Sequence, residues 1–253
     1  MSQLVTRRKL ITAGLATAAG VAGLAAADRI ASAWGLIPPD SGGVWGVGET
    51  LTYAAQRVLM SHHSMAREFG RSDISRAVPV SGNPPKTDPY QRLLAGNFND
   101  WRLTVDGLVA RPGSWSLDEI KRMPTGSQIT HQACEEGWSF IAEWNGVALS
   151  HVLNRAGVSS NAKFVVAYAY DGVWDSLDLP DAYHPQTFLA YNLNGVDLPP
   201  DHGAPVRLRV ARQLGYKSVK FLSRLSVVDS LKSVGNGKGS ISPDYGYSWY
   251  AGI

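Results

Sequence analysis

From residue 101 onward strand signals outnumber helix signals, and that imbalance restricts the fold more than any other feature of the chain. Residues 101–107, "WRLTVDG", alternate apolar and polar side chains and then turn at Asp106-Gly107, which is the period of a half-buried strand. Residues 164–170, 188–191 and 206–210 are rich in β-branched, aromatic and aliphatic types, and the second of these runs into a turn at Asn194-Gly195. Helix signals are few and short. Ser116-Leu117-Asp118-Glu119 has the spacing of a capping box and predicts a helix through Arg122. Leu149, Val152, Leu153 and Ala156 share one helical face, with Ser150 as the expected cap. With no regular strand–helix alternation, internal repeat or heptad pattern, the expected class is α+β, a single β-rich domain with short helices.

Proline and glycine set the expected boundaries. Residues 28–50 hold Pro38-Pro39 and five glycines and read as an irregular lead-in. Residues 79–90, "PVSGNPPKTDPY", read as loop, because successive prolines fix φ and remove donors. Residues 51–253 are expected to form the one folded unit, and a hydrophobic content of 44% suffices for a real core.

The N-terminus has the layout of an export signal. Arg7-Arg8-Lys9 precedes an uncharged, Ala/Gly-rich stretch from Leu10 to Ala27 that ends in Ala25-Ala26-Ala27, giving a basic start, an apolar middle and a small-residue cleavage site over residues 1–27. The paired arginines resemble a twin-arginine signal, whose pathway carries folded proteins, and imply a periplasmic destination. Those three basic residues account for the whole formal net charge of +3. The rest of the chain is close to neutral and gives no support to nucleic-acid binding.

Cys134 is the single cysteine and sits in "HQACEEGWSF". A lone cysteine is ordinarily a small buried hydrophobe, but Gln132, Glu135 and Glu136 are polar neighbours, and an idle thiol outside the cytoplasm is an oxidation liability. Two functional readings follow. One is a Cys/His nucleophile using His131 or a distant histidine, without an adjacent oxyanion signature. The other is a thiolate ligand to a metal whose remaining ligands come from a cofactor, since one Cys with scattered His matches no zinc spacing. His62 and His63 have no metal-ligand spacing. Trp138 and Trp144 read as packing around the site. The aromatic C-terminus "DYGYSWYAGI" reads as a tail packed on the domain, with a docking surface or a lid near the metal as the alternative.

Three blocks carry a resemblance. "HQACEEGWSFIAEWNGVALSHVLNRAG" resembles the metal-ligand segment of the sulfite oxidase family of molybdopterin-dependent oxidoreductases. "HPQTFLAYNLNGVDLPPDHGAPVRLRVARQLGYKSVKFLSRLSVVD" resembles its pterin-binding stretch, and "WRLTVDGLVARPGSWSLDEI" its opening strand and helix. The blocks stand in the family's order and are most similar to the bacterial exported branch that includes the catalytic subunit of periplasmic methionine sulfoxide reductase. The resemblance implies a Mo-molybdopterin cofactor, with Cys134 as the catalytic thiolate on molybdenum, and two-electron oxygen-atom transfer at that centre. It assigns cofactor binding to His202, Arg207, Lys220 and the amides of Ser218 and Val219, and, by a short match, to Arg67 and Glu68. By themselves Arg207 and Arg209, alternating on a strand, would read as a solvated face.

Two departures bear on the substrate. A family threonine at the cofactor falls on Ala169, where Tyr170 or Asp171 could substitute. The Arg/His pair of sulfite-oxidising members has no counterpart in "AVPVSGNPPK". The implied partners are an oxo donor or acceptor, small or protein-bound, and a redox partner, in this family often a membrane haem subunit. The first departure weakens sulfoxide reduction and the second weakens sulfite oxidation, so the substrate stays open, with sulfoxide reduction as one expectation. Sulfite-type oxidation, a Cys/His hydrolase and a non-catalytic exported binding domain are the alternatives.

Overall fold

A computed structural model describes residues 35–42, 46–59 and 64–253; the export-type segment, His62 and His63 lie outside the described residues. The chain divides into two compact units after Leu59. In the first, a helix spans Gly46–Leu59, so the stretch expected to be an irregular lead-in already turns helical at Gly46. Among the described residues no helix is long and apolar enough to cross a membrane.

The second unit is built on two five-stranded sheets. One has the order β2-β1-β10-β5-β6, from strands β1 (Arg102–Gly107), β2 (Gly113–Ser116), β5 (Phe164–Ala169), β6 (Trp174–Asp178) and β10 (Leu222–Val228). The other runs β3-β4-β7-β8, from β3 (Thr125–Ala133), β4 (Ser139–Ala148), β7 (Thr187–Leu193) and β8 (Val196–Asp197), with β9 (Arg207–Val210) also paired to β7. All neighbours are antiparallel except β1 with β10. The α+β, β-rich expectation holds.

The core collects apolar residues from both sheets. Leu103, Val105, Val165, Leu225 and Val227 of the first meet Val147, Leu189, Leu208 and Val210 of the second, together with the apolar face of the helix Leu149–Ala156. That helix buries Leu149, Val152, Leu153 and Ala156 as its periodicity predicts, but it begins at once from β4, with Ala148 rather than Ser150 at its N-cap. The Ser116 capping box forms as expected, with Ser116 Oγ accepting from the Glu119 amide at 3.2 Å and Glu119 Oε2 accepting from the Ser116 amide at 2.8 Å. Residues 79–87 are irregular as expected, but a helix starts at Asp88 and runs to Ala95, because Pro89 in its first turn has no need of an amide donor.

The long hairpin β3–β4 positions the site. Ala133 pairs with Ser139, leaving residues 134–138 as its loop, closed by Cys134 N–H to Trp138 O at 2.9 Å and Gly137 N–H to Cys134 O at 3.1 Å. Gly137 takes φ +89°, which only glycine adopts freely. On the other side of β4 a bulge at Asn145/Gly146 brings the backbone of β7 very close. A Cβ on Gly146 would stand 2.2 Å from Leu189 O. Gly146→Ala should therefore cost roughly 1–3 kcal/mol through overpacking, measurable as a lowered denaturant midpoint with an unchanged slope.

Candidate functional site

Cys134 follows β3 as the first residue of the hairpin loop and lines a cavity of about 290 Å³, near the lower end of ligand pockets at roughly 300 Å³. The residue is buried, contrary to what its polar neighbours suggest, with the turn at Gly215 packed against its backbone. The same cavity is lined by His202, Arg207, Ser218, Val219 and Lys220. Six of the expected site residues, including Cys134, are thus brought together from three places in the chain.

Two expected residues are elsewhere. Arg67 and Glu68 do not line the cavity. Their segment pairs with β3 through Glu68 and Thr130, and the buried amide of Gln186 grips it, accepting from Ala66 N–H at 2.7 Å and donating to Glu68 Oε1 at 2.9 Å. Arg67 lies over the Phe69 ring. Ser218 lines the cavity, yet its amide is already donated to Gly215 O at 2.9 Å and its hydroxyl accepts from Val210 N–H at 3.0 Å. Its amide is therefore not the free donor the sequence suggested.

Arg207 and Arg209 overturn the solvated-face reading of β9. Both are buried, at 4% and 0% exposure, and both guanidiniums lie over the Trp144 ring, 5.2 and 5.5 Å from its centroid. Arg207 donates to His202 O at 3.1 Å and to Ser218 O at 2.9 Å, tying two walls of the cavity together. Arg209 donates to His131 O at 2.8 Å, fixing the strand that leads to Cys134. Burial pushes Arg207 down to about 10 and Arg209, with Arg207's charge added, down to about 9. Among the described residues neither forms an ion pair, and Arg207 Nε has no hydrogen-bond partner.

Lys220 completes the cationic wall. Its ammonium donates to Ser81 O and to Asp201 O, pinning the proline-rich loop to the turn Pro200–His202. Gly203 makes this fit possible, since a Cβ there would stand 2.9 Å from the Lys220 Cβ. Burial, followed by the charges of Arg207 and Lys220, pushes His202 down to about 4, so it is neutral at ordinary pH. Cys134 is pushed up to about 11, first by burial and then by Glu135. A raised thiol and a lowered imidazole lining one cavity are the reverse of a thiolate–imidazolium pair, and His131 does not line the cavity.

Ala169 ends β5 and packs at the edge of the core. Of its two suggested substitutes, Asp171 reaches the cavity and Tyr170 does not; Tyr170 packs against Tyr90 instead. Trp138 lines the cavity and stacks on Phe140, which in turn packs against Trp144. The C-terminal tail adds Ile241, Ser242, Tyr245 and Tyr247 to the wall, a contribution that no local pattern in the sequence announces beyond its density of aromatics.

A cavity that sets one thiol near a buried Arg207 with no ion-pair partner among the described residues suits an anionic group that brings its own ligands. The chain belongs to the oxidoreductase molybdopterin-binding domain family, whose model matches residues 91–234. It is 38% identical over 194 residues to an Azospira oryzae protein provisionally named protein-methionine-sulfoxide reductase subunit YedZ1, covering 77% of this chain and 70% of that one. It is 35% identical over 162 residues to the protein-methionine-sulfoxide reductase catalytic subunit MsrP of Xanthomonas campestris, covering 58% of this chain but only half of that protein. Among solved structures, the sulfane dehydrogenase SoxCD of Paracoccus pantotrophus matches with a TM-score of 0.50 at 26% identity, over 53% of this chain and 40% of that one. The cofactor is therefore Mo-molybdopterin, and the fold is of the sulfite oxidase type.

The residues present fit that group. The unpartnered Arg207 Nε and the ammonium of Lys220 are cations for its anionic parts. The turn Gly215–Lys217 lies so close to the hairpin that a Cβ on Gly215 would stand 3.1 Å from Ala133 O, which keeps the cavity floor at backbone thickness beside Cys134. Lys220 also gives the site a pH signature. Burial, and then Arg207, pushes it from 10.5 down to about 8. Between about pH 8 and 10.5 the unfolded chain holds this proton more tightly than the folded one, so this group makes stability rise with pH across that window. In cofactor-free protein, Lys220→Met should remove that rise from pH-resolved urea midpoints. An unaltered rise in the variant would show that Lys220 titrates normally.

Proposed function

We propose that this chain is the catalytic module of an exported enzyme that reduces organic sulfoxides, with its molybdopterin cofactor anchored through Cys134. The observation that carries the reading is the convergence of Cys134, His202, Arg207, Val219 and Lys220 on one cavity. Among the described residues no group of three or more His, Cys, Asp or Glu could hold a metal ion, which supports a metal that brings most of its ligands with its cofactor and takes Cys134 from the chain. The bound cofactor would supply a metal able to exchange one oxygen atom and two electrons. The reaction is R₂SO + 2 H⁺ + 2 e⁻ → R₂S + H₂O, with electrons from an external reductant.

The chain's own residues bind, orient and exclude water. Arg207 and Lys220 offset the negative charge of the cofactor, and neutral His202 offers a ring nitrogen without adding charge. Trp138 and Phe140, stacked on each other, give the wall that also holds Cys134 an aromatic surface. Glu135, Asp171 and Asp201 also line the cavity, and three carboxylates disfavour an inorganic oxyanion such as sulfite over a neutral sulfoxide. Naming of the relatives as sulfoxide reductase subunits supports the same substrate class. Export by the twin-arginine route, a periplasmic location and a membrane haem subunit as electron donor belong to this proposal.

Protein purified from a cofactor-competent host should carry about one molybdenum per chain, lost in Cys134→Ala. With a dye reductant it should turn over sulfoxides in preference to N-oxides and sulfite. Folded protein without molybdenum, together with undiminished activity in Cys134→Ala, would sink the proposal.

A further inference from the structure

We infer that the C-terminal strap, residues 239–253, is the substrate-selecting wall of the cavity, and that Tyr245 and Tyr247 at its rim hold the apolar arm of an organic sulfoxide. This rests on the sulfoxide reading above and adds to it the residues that choose among sulfoxides.

The strap is a fixed part of the fold. Its far end pairs through Gln213 and Gly252, with Leu214 N–H donating to Ala251 O at 2.9 Å and Ile253 N–H to Arg212 O at 3.0 Å. Its middle is locked by a buried network. Lys217 and Asp175 form an ion pair with side chains 1% and 3% exposed, Ser242 Oγ donates to Asp175 Oδ2 at 3.1 Å, and Trp249 Nε1 donates to Ser176 Oγ at 2.8 Å. The Trp249 ring lies under the Lys217 ammonium and meets Phe164 edge-on. Breaking a buried, fully bonded pair of this kind is costly, so the strap does not swing away as a loose tail.

Held this way, the strap presents aromatic surface to the cavity. Tyr216 stacks on Tyr247 with centroids 5.3 Å apart and planes 24° apart, and its hydroxyl donates to Ser248 O at 2.6 Å. Tyr245 and Tyr247 line the cavity while remaining 71% and 41% exposed. They therefore stand at the mouth, where aromatic surface is open both to water and to the cavity. Val173 and Ile241 continue the apolar lining. The adjoining turn Gly215–Lys217 is the one that backs Cys134, so the rim and the reacting end of the cavity are joined by three residues of chain. Tyrosine faces suit a neutral sulfoxide with an alkyl or aryl arm, through ring stacking and sulfur–aromatic contact. They offer nothing to a small inorganic oxyanion.

The test compares methyl phenyl sulfoxide with dimethyl sulfoxide on the cofactor-loaded protein. Tyr247→Ala should raise the KM for the phenyl compound relative to the dimethyl one by roughly threefold to tenfold, with kcat for the two falling together or not at all, and Tyr247→Phe should restore the ratio. A readout independent of turnover is chymotryptic cleavage after Tyr245 and Tyr247, which methyl phenyl sulfoxide should slow and dimethyl sulfoxide should not. Equal KM changes for both compounds, an unchanged ratio in Tyr247→Ala, or cleavage indifferent to the phenyl compound would overturn the inference. If the wild-type protein reduces no sulfoxide but is protected selectively, the strap stands and the sulfoxide reading falls. If it reduces both sulfoxides without the aromatic bias, the reading stands and the strap inference falls.

Discussion

Two buried guanidiniums over a single indole ring set the terms for the rest of the structure. Arg207 and Arg209 alternate on β9, point to the same side of the strand and have no carboxylate against them among the described residues. A buried cation without a partner is among the most expensive features a fold can carry. Carbonyl oxygens of His131, His202, Val210 and Ser218 meet part of the cost. By doing so, the two arginines tie together the hairpin that ends at Cys134, the His202 turn and the Ser218 segment. Charge burial and cavity architecture are thus one arrangement, and the buried Arg207, with no ion-pair partner among the described residues, is the feature that suits the cavity to an anionic cofactor.

The parts of the fold that could be read from the chain were those where burial and polarity coincide. β1, β5, β7 and β9 carried apolar or β-branched runs, and the helix Leu149–Ala156 carried a clean apolar face. β3 was not legible, although its nine residues build half of the central hairpin. Its inward positions are Gln128, Thr130 and Gln132, buried but polar, so the alternation that marks a strand is written in hydrogen-bonding groups. Gln128 donates to Gln186 O and Thr130 accepts from Arg209. A strand whose buried face serves a site rather than a core gives no hydrophobic period.

The site divides along similar lines. Cys134, His202, Arg207, Val219 and Lys220 could be placed because each belongs to a compact motif whose spacing survives folding. Arg67 and Glu68 rested on a short match, and their segment answers to a different need. The amide of Gln186, over a hundred positions downstream in the chain, donates to both Ala66 O and Glu68 Oε1, holding the segment along β3 and away from the cavity. Asp171 enters only as a substitute at Ala169, Tyr216 lies in the pterin-binding block without a role of its own, and Tyr245 and Tyr247 stand only in an aromatic tail. The C-terminal segment is held against the turn Gly215–Lys217 through Ser242 and the Lys217–Asp175 pair, which joins residues 42 positions apart, and such a pair leaves no mark in any local window.

These constraints also link cofactor binding to folding. Arg207, Arg209 and Lys220 are all pushed below their ordinary values by burial, so the folded chain carries unfavourable charge in and around the cavity that it must offset elsewhere. An anionic group that binds the folded state alone relieves that burden and stabilises the fold by mass action, by about 2.7 kcal/mol when present at a hundred times its dissociation constant. The relief falls on the hairpin and the His202 turn, because those are the elements the arginines hold. A fold tuned in this way is most secure once the cofactor is in place. On the proposed twin-arginine route, which carries folded proteins, loading before export therefore stabilises the elements that hold Cys134 in position.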